Sequence, residues 1–193
     1  MSTPAARPQT LVVIDMQRGF RDPASQWCVP RYDEIVPAIE ALQERIGGSA
    51  VFTRFVPDPE EPGAWQAYYR RWHQMCQAAD APAWGITMAV PAGSPIVTKP
   101  TFSKWGPELE ALVPLGGEMV LTGVATDCCI LSTALGAVDA GRFVTVVSDG
   151  CAAVGDEAQA QTLALLDLLS PMVRIATSAE LLAALPAKAP ATA

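Results

Sequence analysis

Six short apolar runs, separated by longer helix-like or Gly/Pro-rich stretches, constrain this chain more than any other feature. They fall at 10–14, 50–55, 96–98, 118–122, 143–147 and 172–176. Runs this short, rich in Val, Ile and Thr, read as buried strands. Between them, helices are expected at 33–46, 107–113, 127–140, 156–169 and 178–185. Asp33 and Ser178 are suited to open helices, and Gly47-Gly48 and Gly141 to close them. Alternation of strand and helix predicts a parallel α/β sheet covered on both faces. The 193 residues suffice for one domain with a sizeable core. Its ordered part is expected at about 8–186, followed by an Ala/Pro-rich flexible tail.

In open parallel sheets, ligands bind outside the carboxyl ends of the strands. Three chemically useful residues fall there. Asp15 ends the run Leu11-Val-Val-Ile14. Lys99 follows Pro95-Ile-Val-Thr98. The join Gly123-Val-Ala-Thr-Asp-Cys-Cys-Ile130 links the fourth strand to a helix. Such a turn aims backbone N–H groups at one point and favours an anion, including a thiolate. This points to covalent catalysis by Cys128 or Cys129, between which the local pattern does not choose. Taken alone, Asp15 fits a turn residue equally well, and Lys99 reads better as a solvated surface lysine.

Composition removes several alternatives. The net charge is −7, with 17% charged residues and no basic cluster. That argues against nucleic-acid and anionic-membrane partners. The first ten residues lack the apolar core of a secretory signal, and the chain has five cysteines, so reduced thiols in the cytoplasm are expected. The one histidine, His73, excludes a zinc site built on several histidines. The segment 57–93 contains Pro57, Pro59, Pro62, Pro82 and Pro91 and three of the five tryptophans. It reads as a lid or pocket wall, or as a satellite cluster or subunit interface.

Leu11-Val-Val-Ile-Asp15-Met-Gln17 with Phe20, Lys99 after a strand, and Gly123-Val-Ala-Thr-Asp-Cys-Cys129-Ile with Thr133-Ala134 resemble the isochorismatase-like cysteine hydrolases. The resemblance runs from about residue 10 to 185. It implies a three-layer α/β/α sandwich around a central parallel sheet, assembled as a homodimer or homotetramer. It selects Cys129 as the nucleophile, with Asp15 and Lys99 completing a triad. It also implies a cis peptide between Val124 and Ala125, and an oxyanion hole from the N–H groups of Ala125 and Cys129. The metal-binding Asp-x-His pattern of the nicotinamidase branch is absent here. Only Asp58 remains in the corresponding stretch, so no metal and no cofactor are expected.

The expected chemistry is hydrolysis of a small amide or ureido C–N bond through a thioester. Phe20, Trp65, Phe102 and Trp105 are candidate pocket walls, although each fits the core equally well. Gln159 is a candidate amide contact or a solvated helix residue. The alternatives are an isochorismatase-type vinyl-ether hydrolase using Asp15 alone, and a non-catalytic binding protein that keeps the fold.

Overall fold

A computed structural model describes residues 7–46 and 50–185. The Gly47-Gly48 helix stop and the tail after residue 185 lie outside the described residues. The elements run β1 (Gln9–Ile14), α1 (Arg18–Arg21), α2 (Tyr32–Ile46), β2 (Ala50–Phe55), α3 (Ala64–Arg71), β3 (Ile96–Lys99), α4 (Pro107–Leu112), β4 (Glu118–Val124), α5 (Leu131–Asp139), β5 (Phe143–Ala152), α6 (Asp156–Asp167), β6 (Val173–Ala176) and α7 (Ser178–Ala184). The sheet order is β3-β2-β1-β4-β5-β6, and every neighbouring pair is parallel.

The β1 run is apolar throughout because both its faces are buried. Leu11 and Val13 join one core with Ile35, Ile39 and Leu42 of α2. Val12 and Ile14 join the other with Leu109 of α4, Ala134 of α5 and Leu166 of α6. Helices therefore cover both faces of the sheet, which gives the three expected layers. At α7, Thr177 and Glu180 form a reciprocal capping box, which satisfies two amides at the helix start.

Chain order reverses between β1 and β4, which makes their carboxyl ends the switch point where a crevice opens. The two strands approach closely there. Gly123 has φ 107°, and a Cβ at this position would overlap the Ile14 carbonyl. Only glycine combines that conformation with that approach. The strand β5 runs five residues beyond its expected end at 147, through Ser148-Asp-Gly150. It re-pairs with β4 at Gly123↔Cys151 after a register shift. A bulge of this kind lets a strand pass turn-forming residues.

Segment 57–93 contains α3 and two 3-10 turns, His73–Met75 and Pro82–Trp84. It packs its aromatic residues onto the α2 side of the sheet. Gln17 anchors it. The buried Gln17 amide donates to the Phe55 and Trp84 carbonyls, both at 2.9 Å, and accepts from Phe55 N–H at 2.8 Å.

Candidate active site

Asp15 leaves β1 with φ 49°, in the left-handed region that few non-glycine residues occupy and that Asp tolerates best. Its carboxylate is fully buried. Thr53 on β2 fixes it from both sides. The Thr53 hydroxyl donates to Asp15 Oδ1 at 2.6 Å and accepts from Asp15 N–H at 3.1 Å. The other oxygen, Oδ2, lies 3.0 Å from Lys104 Nζ, and neither side chain is exposed. Lys104 also donates to the Thr101 carbonyl at 2.7 Å. Its ammonium sits 4.7 Å from the centre of the Phe55 ring, and its backbone N–H donates to Thr133 Oγ1 at 2.9 Å.

The structure thus gives the buried ion pair to Lys104 and not to Lys99. Lys99 Nζ donates to the Trp105 carbonyl at 2.8 Å and sits beside Gly106. The physical reason is sheet order. The edge strand β3 is separated from β1 by β2, about 10 Å away at the usual strand spacing. The loop after β3 folds back over the sheet and delivers Lys104, five residues later in the chain. That lysine is flanked by Phe102 and Trp105, an apolar setting for a charge and the one sequence signal that marked it.

Opposite this pair, Val124–Ala125 is a cis peptide and Thr126–Ile130 forms a π-helical turn leading into α5. The N–H groups of Cys128 and Ile130 both donate to the Ala125 carbonyl at 3.1 Å. The two adjacent thiols face different surroundings. Cys128 is half-buried and approaches Asp127 Oδ2 at 3.6 Å; burial and that carboxylate push its thiol up to about 12. Cys129 is buried, and the charges it meets are Asp15 and Lys104. Burial raises its thiol well above the usual range, Asp15 raises it further and Lys104 opposes them. The expected thiolate-favouring effect of the turn is therefore outweighed by desolvation. The Cys129 thiol lies beside the Asp15–Lys104 pair.

Cys129 lines a cavity of about 410 Å³. Phe20, Trp27, Phe55, Tyr68, Trp72 and Phe102 supply its aromatic walls. Ala125 lines it as well. Two of the four candidate wall residues, Phe20 and Phe102, are thus among those lining the cavity. Trp65 instead packs behind the wall, its ring 4.8 Å from Phe102 and 6.1 Å from Phe55. Trp105 lies on the other core, against Gly136 and 5.1 Å from the Arg142 guanidinium. Gln159 is not in the cavity; its amide donates to the Cys151 and Ser148 carbonyls at 3.1 and 3.4 Å. Trp27, Phe55, Tyr68 and Trp72 were missed because nothing local distinguishes a pocket aromatic from a core one. Segment 57–93 supplies part of the pocket wall through Tyr68, Arg71 and Trp72.

The stretch after β2 does not fit a metal. Asp58 is exposed and its Oδ1 accepts from Glu60 N–H in a turn. Among the described residues, no group of three or more His, Cys, Asp or Glu is placed to hold an ion. No helix among them is long and apolar enough to cross a membrane.

Residues 9–180 match the isochorismatase domain family. Isochorismatase domain-containing protein 2 of Xenopus laevis is 44% identical over 57 residues, a stretch spanning 28% of each protein. Three solved structures share the fold. A cysteine hydrolase from Pseudomonas syringae pv. phaseolicola 1448A is 22% identical, with 95% of this chain and 97% of that chain covered and a TM-score of 0.78. For the zinc complex of Pyrococcus horikoshii pyrazinamidase the values are 23%, 88%, 98% and 0.70. For N-carbamoylsarcosine amidase from Thermoplasma acidophilum they are 21%, 89%, 96% and 0.68.

Proposed function

The chain belongs to the isochorismatase-like hydrolase family, and from that premise we propose that it hydrolyses a small amide or ureido C–N bond with Cys129 as nucleophile. The observation that carries this reading is the buried Asp15–Lys104 pair facing a buried thiol at an aromatic cavity. Such a pair is costly to bury and adds little stability compared with an apolar replacement. A nucleophile that needs a base gives it a use. Lys104 lies 3.0 Å from one carboxylate oxygen of Asp15, and Thr53 holds the other so that the carboxylate stays oriented.

In this mechanism Asp15 takes the Cys129 proton as sulfur attacks the carbonyl carbon. Proton loss and attack are coupled, because the free thiolate is disfavoured by burial. The N–H groups of Ala125 and Cys129 receive the developing oxyanion, which is the larger catalytic contribution in sites of this type. Asp15 returns the proton to the leaving amine and then activates the water that hydrolyses the thioester. A carboxylate thereby does the work usually given to histidine. The similarity in fold to a cysteine hydrolase and to N-carbamoylsarcosine amidase supports C–N substrates over vinyl ethers.

The test is ammonia release from a panel of small amides, ureas and carbamoyl compounds by wild type and Cys129→Ala. Turnover in wild type that disappears in the variant supports the reading. Turnover retained by Cys129→Ala points to chemistry by Asp15 alone.

A further inference from the structure

One residue of the cavity takes no part in the chemistry above. Among the described residues, Arg71, the last residue of α3, is the single cation lining it. Its guanidinium lies over the Trp72 ring, 4.8 Å from the centre, a cation–π contact that does not use its N–H donors. Arg71 is exposed and has no carboxylate partner among the described residues. Other arginines around the fold do have one: Arg21 pairs with Asp33, Arg31 with Asp156 and Arg142 with Glu110.

The only carboxylate lining the cavity among the described residues, Asp127, is held to its own wall. Its Oδ1 accepts from Val154 N–H at 3.3 Å, and its Oδ2 meets the Cys128 thiol. An anionic group entering the cavity would avoid Asp127 and move to the Arg71 side. The net charge of −7 disfavours anions near this protein as a whole. A local cation at the cavity is therefore what would admit them.

We propose that Arg71 is a specificity-determining residue. The site takes small amides or ureides that carry a carboxylate at the end remote from the scissile carbonyl. The guanidinium binds that carboxylate through charge-assisted hydrogen bonds. This rests on the C–N hydrolase reading for the amide end of the substrate, but not for the anion end.

Two matched pairs of compounds test it: succinamate with butanamide, and 4-carbamoylbenzoate with 4-methylbenzamide. Each pair differs in a carboxylate against a methyl group. The first readout needs no turnover: protection of Cys129 from iodoacetamide, followed by peptide mass spectrometry. In wild type the anionic member should protect at a concentration lower by about tenfold or more, the ratio one such charged contact supports. In Arg71→Met both members should protect alike, and Arg71→Lys should restore part of the preference. The second readout is ammonia release, where the preference should appear in KM of the anionic member and vanish in Arg71→Met. Equal protection by both members in wild type would overturn the proposal. So would a preference that survives Arg71→Met, or no protection by any of the four. Arg71-dependent protection without ammonia from any amide would instead remove the C–N hydrolase reading and leave the anion site standing.

Discussion

Replacing Lys104 by Met separates the two candidate lysines by energy as well as by activity. Lys104 and Asp15 are both fully buried, and their charged atoms are 3.0 Å apart. Removing one partner of such a pair leaves an uncompensated buried charge and costs about 3–5 kcal/mol. The Thr101 carbonyl also loses the donor that lies 2.7 Å away. Against a typical domain stability of about 5–15 kcal/mol, Lys104→Met should fold but with a much lower urea midpoint. The double variant Asp15→Asn/Lys104→Met removes both charges and should recover part of the loss, because no buried charge is left alone. Lys99 makes one hydrogen bond to a main-chain carbonyl from a partly exposed position, so Lys99→Met should cost about 1 kcal/mol or less. Urea unfolding followed by tryptophan fluorescence measures these three variants, the single Asp15→Asn and wild type. Turnover should fall by about 10²-fold or more in Lys104→Met, as on loss of a general base, and stay near normal in Lys99→Met. Any of three results would refute this: Lys104→Met matching wild type in stability, the two single losses simply adding in the double variant, or Lys99→Met being the inactive protein.

Thr53→Val should destabilise by about 1.5–3 kcal/mol, the range for a hydrogen bond to a charged group, and should slow turnover; Thr53→Ser should restore both in denaturation and rate assays. Gly123→Ala should give little soluble protein, since its Cβ would overlap the Ile14 carbonyl at φ 107°; soluble yield and melting temperature report this. The rate of iodoacetamide reaction at Cys129 should keep climbing up to pH 9 with no plateau near neutrality, because burial and Asp15 raise the thiol. Stability should decline in alkali. Burial raises the Cys151 thiol in the folded protein above the unfolded value of about 8.5. Its contribution is therefore fully present below pH 8.5. Above that the unfolded chain loses the proton first, and stability falls by about 1.4 kcal/mol per pH unit for this group. Cys151→Ala should reduce that slope in urea titrations at pH 8, 9 and 10.

The fold was legible because a strand buried on both faces leaves a continuous apolar run, as at 11–14 in β1 and 119–121 in β4. The end of β5 was not, since Ser148-Asp-Gly150 reads as a turn when the neighbouring strand that carries it onward is not in view. Asp15 was legible as the charge that ends the central strand. Lys104 was hidden because its position depends on a loop returning across β2, and strand-end reasoning selects the lysine nearest in sequence. The choice between Cys128 and Cys129 was open locally. In the fold one thiol meets the Asp15–Lys104 pair and the other meets Asp127, and that difference is why Cys129 is the one proposed. Pocket aromatics stayed indistinct because Trp65 and Trp27 belong to one connected cluster, and a difference of one layer decides which of them lines the cavity.

The most direct measurement is rapid-quench mass spectrometry of the protein reacting with p-nitrophenyl acetate, an activated acyl donor, with peptide mapping of any adduct. The account expects one acetyl group on the peptide containing Cys128 and Cys129. Fragmentation should place it on Cys129, and it should be absent from Cys129→Ala and strongly reduced in Lys104→Met. An adduct on Cys128, or acyl transfer that continues unchanged in Cys129→Ala, would contradict it.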